Sequence, residues 1–219
     1  MSMRGTKVWD LPVRLTHWAL VILVLLSFGT AELGWLDMQW HFYSGYGILV
    51  LVLFRVLWGF FGSKHARFSS FLRGPHALIA YLRGQLPRSV GHNPVGGWSA
   101  IFLLAVLLLQ AGTGLFNNDD IEWFGPLAEK VSGDWVEWCS DVHESAGKVL
   151  LALIGLHVLA VLGYLLFKRD DLISPMFSGY RRDLDAPDGE SRPWWLALAL
   201  LAVSAAALWS LIRFWPELD

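Results

Sequence analysis

The sequence predicts an all-α integral membrane protein whose helices cross a bilayer five times. Hydrophobic residues make up 55% of the 219-residue chain, 16% of the residues are charged, and the mean hydropathy is +0.46. These values are typical of membrane proteins. Five apolar runs are each long enough to span a hydrocarbon core about 30 Å thick, and none alternates polar and apolar residues as a strand would. The runs cover residues 15–33, 41–61, 97–116, 143–167 and 194–214.

The charges between the runs predict how the chain is oriented, because Lys and Arg collect on the cytoplasmic side of a membrane. The segments at the N-terminus, after the second run and after the fourth run are basic, whereas those after the first and third runs are acidic. The N-terminus is therefore expected in the cytoplasm and, after five crossings, the C-terminus in the periplasm. The bases are Arg4, Lys7, Arg14, Lys64, Arg67, Arg73, Arg83, Arg88, Lys168, Arg169, Arg181 and Arg182, and the acids are Glu32, Asp37, Asp119, Asp120, Glu122, Glu129, Asp134, Glu137 and Asp141, with Lys130 among them.

Three of the five runs carry histidines. The first run holds His17 near its cytoplasmic end, and the second begins at its outer end with His41. The fourth begins at its outer end with His143 and contains His157 fourteen residues later. Fourteen residues are close to four helical turns, so both imidazoles leave one face of the helix, roughly 21 Å apart along its axis.

Depth in the membrane pairs these four histidines. His41 and His143 share the outer depth, His17 and His157 share the inner depth, and each pair joins two helices. Two bis-histidine haems stacked in a four-helix bundle need this arrangement. The single cysteine and the lack of a C-x-x-C-H motif exclude an iron–sulfur cluster and covalently attached haem. The sequence therefore predicts two haem b groups held by axial histidines and by packing.

Some of these residues also have simpler interpretations. Taken alone, His17 or His41 is more often a polar group at the headgroup level. His157 lies inside an apolar run, where an imidazole without a partner is costly. Nearby glycines either leave room for a porphyrin or serve ordinary helix packing. They are Gly45, Gly47, Gly112, Gly114, Gly147 and Gly155.

Two cations are candidate partners for haem propionates. Arg55 follows His41 by fourteen residues, which places it at the inner depth, where it either binds a propionate or extends to the inner headgroups. Lys148, shortly after His143, is a similar candidate at the outer haem. The remaining histidines, His65, His76 and His92, are expected to be ordinary loop residues. For His65 the alternative is a contact with a haem propionate or a quinone head group.

Four sequence motifs carry a resemblance to a known family. They are VWDLPVRLTHW, RVLWGFFGSKHARFSSF, GHNPVGGWS, and H-E-x-x-G with a second histidine fourteen residues after the first. Together they resemble the bacterial cytochrome b561 family, which includes the b-type subunit of membrane-bound nickel–iron hydrogenases. The resemblance covers about residues 7–182 and implies a four-helix di-haem core. It assigns as iron ligands His17, His41, His143 and His157.

The chain is accordingly divided into three parts. Residues 1–182 are expected to form the four-helix di-haem transmembrane domain, and residues 183–193, DLDAPDGESRP, a polar cytoplasmic linker. Residues 194–219 are expected to form the fifth transmembrane helix and a periplasmic C-terminus. The fifth helix departs from the four-helix core, and it is expected either to dock a partner or to stabilise a homodimer.

The expected function is electron transfer across a bacterial inner membrane, within a respiratory chain. Electrons would pass between the quinone pool and a periplasmic redox partner, either a c-type cytochrome or a hydrogenase-like enzyme. The quinone is expected near His17, His157 and Arg55, with a site near His41 as the alternative. A self-sufficient superoxide:quinone oxidoreductase is the competing function, although acidic outer segments repel an anionic substrate. A haem-free anchor would not need four histidines at two depths. The apolar runs imply membrane lipid as a partner, and the net charge of −2 implies no nucleic acid.

Overall fold

Five long helices dominate the computed structural model, which describes residues 5–86, 88–118, 123–184 and 186–216. All five are long and apolar enough to cross a membrane, so the chain is a multi-pass membrane protein. Predicted charges at Arg4, Asp119, Asp120 and Glu122 lie outside the described residues. In chain order the elements are β1 (Thr6–Lys7), α1 (Leu11–Leu33), α2 (Gln39–Phe61), α3 (Phe68–Phe71), α4 (Pro75–Leu82), α5 (Pro94–Thr113), α6 (Gly133–Phe167), α7 (Ser174–Ser178), β2 (Tyr180–Arg181) and α8 (Trp194–Phe214), with single 3₁₀ turns at Lys64–Ala66 and Ala128–Lys130.

Two of the long helices begin at side-chain caps that lie outside the apolar runs. Asp10 accepts a hydrogen bond from the Val13 amide at 2.9 Å, and α1 starts at Leu11 rather than at residue 15. Asn93 accepts one from the Gly96 amide at 2.8 Å, and α5 starts three residues before the predicted run. The cap satisfies amides that the first helical turn leaves unpaired. An apolar run therefore marks only the membrane part of each helix.

Helix α6 differs most from its predicted bounds, because it begins at Gly133, ten residues before His143. Its 35 residues make it roughly 52 Å long, well beyond a hydrocarbon core of about 30 Å. The extra turns carry the half-exposed Trp135 and Trp138, whose ring centroids lie 5.0 Å apart. The helix therefore projects from the end of the bundle that holds residues 34–38, 114–118 and 123–132, which we call the acidic end.

Helix α2 lies at the centre of the bundle, in contact with α1, α5 and α8. It supplies two side chains with no exposed surface, Val52 and Trp58. Helix α5 in turn packs against α6. The fifth transmembrane helix, α8, buries Ser204 and Leu208 and covers one side of α2 within the same chain.

The opposite end of the bundle holds residues 62–86, 88–93, 168–184 and 186–193 and is called the basic end. Strands β1 and β2 pair antiparallel there, and they are too short to give a periodic sequence pattern. Beside them the buried Arg181 forms ion pairs with Asp170 and Asp183. The linker predicted at residues 183–193 is also packed onto this end, since its Glu190 forms an ion pair with Arg67 at 3.1 Å.

Candidate functional site

The structure brings His41 and His143 together at the acidic end, from α2 and α6. Their ring centroids lie 6.2 Å apart, and the ring planes are inclined by 76°. One metal ion bound by two imidazoles at about 2 Å each would separate the centroids by about 6 Å. The spacing of this pair therefore suits a single iron with two axial histidines.

Backbone carbonyls from the other two helices orient both rings. The Nδ1 atom of His41 lies 2.9 Å from the carbonyl oxygen of Ser27 on α1, and Nδ1 of His143 lies 2.9 Å from that of Gln110 on α5. A ring that donates its Nδ1–H to a carbonyl keeps Nε2 as the ligand atom, which is the usual arrangement of metal-bound histidine. The Gln110 side-chain amide lies 3.0 Å from Nε2 of His143 and would give way to a metal there.

The glycines near the histidines divide into two groups. A Cβ atom on Gly114 would lie 2.9 Å from Cε1 of His143, and one on Gly47 would lie 2.9 Å from Leu23. These two glycines permit close packing, against the imidazole and between α1 and α2. Gly147 belongs to the same group, since a Cβ atom there would lie 3.4 Å from Nε2 of Gln110. A Cβ atom at the remaining sites would meet nothing within 4 Å, which is consistent with room for a flat cofactor: Gly45, Gly112 and Gly155.

His17 and His157 lie on α1 and α6 toward the basic end, close enough for their charges to interact. The Nδ1 atom of His17 is buried and has no hydrogen-bond partner in the described part of the chain. Buried polar atoms are nearly always paired, so this atom leaves a place for a group that is not protein. The residues thus fit a second haem here, without the carbonyl contacts seen at the acidic end.

Arg55 is buried in α2, with 7% of its surface exposed. Its Nη2 donates to the Ala66 carbonyl at 3.2 Å, and its guanidinium lies 5.4 Å from the ring centroid of Phe68. Its Nη1 is buried without a partner among the described residues. The side chain therefore stays inside the bundle rather than extending to the headgroups, which favours binding of a buried anion.

Lys148 lies at the surface of α6, and its contact with a haem stays a prediction. Its side chain is exposed and forms an ion pair with Glu144, one turn earlier on α6, at 2.5 Å. The ammonium is therefore already balanced at the surface of the helix. The structure offers no support for a contact between Lys148 and a haem at the acidic end.

His92, expected to be an ordinary loop residue, is packed into the basic end. Its ring centroid lies 4.7 Å from that of Trp9 and 4.6 Å from that of Phe71, and its Nδ1 is buried without a partner among the residues described. Burial, with the nearby Arg55, His157 and His17, lowers the pKa of His92 to about 3. The motif H-N-P held a signal, because Asn93 caps α5 and places His92 just before a membrane helix.

The other two loop histidines differ from each other. His65 packs closely on the linker, since a Cβ atom on Gly189 would lie 2.5 Å from its ring, and burial lowers the pKa of His65, with Lys64 adding to the effect. His76 is exposed on α4, as expected of a loop histidine.

The histidines form pairs rather than larger ligand clusters. Across the described ranges, no group of three or more His, Cys, Asp or Glu side chains could hold a metal ion. A haem needs only two axial ligands from protein, because the porphyrin supplies the rest. The donor sets present therefore suit haem better than a metal ion bound by side chains alone.

Comparison with known proteins also indicates a haem protein. The profile of the prokaryotic cytochrome b561 family matches residues 8–179. Among curated proteins the chain is similar to probable Ni/Fe-hydrogenase B-type cytochrome subunits. That of Cupriavidus necator is 27% identical, over 82% of this chain and 88% of the relative. The subunit of Bradyrhizobium diazoefficiens is 25% identical, over 81% of this chain and 86% of the relative. The hydrogenase 1 subunit of Escherichia coli K12 is 24% identical, over 80% of this chain and 89% of the relative.

No solved structure gives a significant match. The family profile covers most of the chain, including all four paired histidines and Arg55. Cytochromes of this type bind haem b, and the two histidine pairs fit that cofactor. The chain belongs to the prokaryotic cytochrome b561 family.

Proposed function

We propose that this b-type cytochrome binds two haems and carries electrons across the bacterial inner membrane, between the quinone pool and a periplasmic redox partner. The basic end would face the cytoplasm, as the distribution of Lys and Arg indicates. The observation that carries the proposal is the His41–His143 pair, which has the spacing and the Nδ1 contacts of metal-bound histidines. Haem b supplies reversible one-electron chemistry when bound.

The residues of the chain would hold and orient the two cofactors. His41 and His143 would bind one iron, and His17 and His157 the other. Helix α6 contributes one ligand to each pair, roughly 21 Å apart along its axis. The carbonyls of Ser27 and Gln110 fix the rings of the first pair, while Arg55 offers a buried positive charge at the second.

The acidic end would dock the redox partner. Helix α6 extends beyond the membrane there and presents Trp135 and Trp138 beside Asp134, Glu137 and Asp141. Exposed aromatic rings are common anchors at interfaces, and acidic residues attract a basic docking face. The relatives are named as hydrogenase subunits, which supports a hydrogenase-like enzyme as the partner, with a c-type cytochrome as the other candidate.

The quinone would bind at the basic end, near His17, His157 and Arg55. A cavity of about 330 Å³ opens at the same end between α4 and α6, a volume usual for a ligand site, although none of those three residues lines it. It is lined in part by Tyr81 and Tyr164, whose hydroxyl oxygens lie 2.6 Å apart. These hydroxyls could exchange hydrogen bonds with a quinone head group.

The test is a haem count with a reduced-minus-oxidised spectrum of the purified protein. We expect two non-covalent haem b groups per chain, both low-spin. His41→Ala should remove the haem at the acidic end and leave the other loaded, and His17→Ala should do the reverse. His76→Ala, at an exposed histidine, is the matched control and should keep both. One haem in fully loaded protein, or loss of the same spectral component in His41→Ala and His157→Ala, would refute the proposal.

A further inference from the structure

Several buried nitrogen atoms at or near the basic end lack hydrogen-bond partners in the described ranges, and two of them lie in one cluster of aromatic rings. These two are Nη1 of Arg55 and Nδ1 of His92. Native proteins pair nearly all buried polar atoms with protein, water or ligand, so each orphan needs a partner. Neither atom has a role in the proposed coordination of iron.

The two side chains belong to one packed wall of rings. The guanidinium of Arg55 lies 5.4 Å from the ring centroid of Phe68, and Phe68 contacts Phe71 at 5.9 Å between centroids. Phe71 contacts His92 at 4.6 Å, and Trp9 contacts the same imidazole at 4.7 Å. Packing therefore holds both nitrogen donors in place before any ligand arrives, which lowers the entropy cost of binding.

The positive charge of Arg55 is not balanced by a direct ion pair among the described residues. Asp10 is close enough to attract it, but both carboxylate oxygens of Asp10 are engaged. One accepts from the Val13 amide and the other from Nε1 of Trp58, each at 2.9 Å. A buried charge without a partner is costly, so the site lacks an anion.

We propose that Arg55 and His92 together bind one carboxylate of the haem at the basic end. This inference rests on the proposed function, since that haem is the one assigned to His17 and His157. A carboxylate accepts several hydrogen bonds, so one group can take the free N–H of both side chains and balance the guanidinium. His17 and His157 lie within electrostatic range of His92, as a shared cofactor requires. His92 is thereby a positioning residue for the haem.

The test uses two substitutions in the full-length protein. His92→Phe keeps a ring against Trp9 and Phe71 but removes both nitrogens, and Arg55→Gln removes the charge. Exposed His76 is replaced by Phe as the control. The readouts are haem content and the midpoint potential of the basic-end haem, which is identified as the haem that His41→Ala retains.

Both variants should keep two haems and lower that potential, because a carboxylate left unbalanced favours ferric iron. A unit charge about 10 Å from iron, in a medium of dielectric constant about 20, changes the ratio of reduced to oxidised haem about fifteenfold, or about 70 mV. We expect that shift for Arg55→Gln and about threefold for His92→Phe. The double variant should shift by less than the sum, because the two residues share one carboxylate. His76→Phe should leave the potential unchanged.

Infrared difference spectra with haem labelled at its carboxylate carbons report on the contact itself. The labelled band should shift in His92→Phe and Arg55→Gln but not in His76→Phe. An unchanged band and potential in His92→Phe, with two haems bound, overturns this inference and leaves the proposed function intact. A wild-type haem count other than two overturns the proposed function instead. If His92→Phe loses the haem, His92→Gln, which keeps an N–H donor, should restore it, and failure to do so counts against the inference.

Discussion

The close approach of Gly114 to His143 gives a sharp prediction. In Gly114→Ala the added Cβ atom would lie 2.9 Å from Cε1 of His143, nearer than side chains normally come. The backbone at Gly114 is right-handed helical, with φ −60° and ψ −20°, so alanine causes no backbone strain there. The whole effect should therefore act on the imidazole, which must move by about half an ångström to reach ordinary contact.

The magnitude follows from the cost of overpacking. Adding a methyl group to a well-packed site costs about 1–3 kcal/mol. Applied to the ring that would bind iron, this range corresponds to a dissociation constant for the acidic-end haem about 5-fold to 150-fold higher. The ring is also held by the Gln110 carbonyl at 2.9 Å, so it cannot rotate away without losing that hydrogen bond. The haem at the basic end should be unaffected.

The assay is haem loss from purified protein to a haem-binding acceptor, followed spectroscopically for each site. Gly133→Ala is the control, because a Cβ atom there meets nothing within 4 Å and the residue lies at the start of α6, ten residues before His143. Equal rates of haem loss in the two variants would refute the reasoning. So would a Gly114→Ala variant that loses the basic-end haem first.

Three further predictions concern the surface, the basic end and the core. Lys148→Ala should leave haem content and both midpoint potentials unchanged in a redox titration, because its ammonium is exposed and paired with Glu144. The hydrogen bond from Arg181 lowers the pKa of Asp183 from its ordinary value of 3.8, so this pair stabilises the protein above about pH 4, and the stabilisation is lost as the pH falls through the folded pKa. Asp183→Asn should therefore lower the melting temperature at pH 7, and the difference from the wild type should shrink as the pH falls below about 4. Trp58→Phe removes a fully buried indole and its hydrogen bond to Asp10, the carboxylate that caps α1. This variant should be less stable by about 1–3 kcal/mol in thermal melts. Trp209→Phe, on the exposed face of α8, is the control and should have little effect.

The membrane spans were predictable because their signal is local. A run of about twenty apolar residues needs no knowledge of the rest of the fold, and α8 has the predicted bounds of residues 194–214. The first ten residues of α6 were not found, because acidic residues interrupt the apolar ones there and leave no apolar run. The pairing of β1 with β2 joins residues more than 170 positions apart and involves only two residues in each strand. Such contacts leave no periodic pattern in the sequence.

Part of the candidate site could also be predicted from the sequence, and part could not. The depths of His41 and His143 follow from counting residues along helices, and the structure places the two rings side by side. The burial of Arg55 and of His92 could not be counted in this way. Each depends on rings from distant segments, such as Trp9 before α1 and Phe71 in α3. A histidine that precedes a helix cap has no partner at a fixed spacing, so its role is visible only in three dimensions.

Helix α6 carries one histidine of each pair, and this has a consequence for how the distance between the two proposed irons can change. The spacing is set by the rise of one continuous helix, which comes in turns of about 5.4 Å. Inserting one residue between His143 and His157 would swing the second imidazole by about 100° around the axis and away from His17 on α1. Point substitutions would tune each proposed haem separately but would leave the spacing between the two proposed irons unchanged. That spacing would change only in steps of whole helical turns. Each step would require a matching change in the helices that carry the partner histidines.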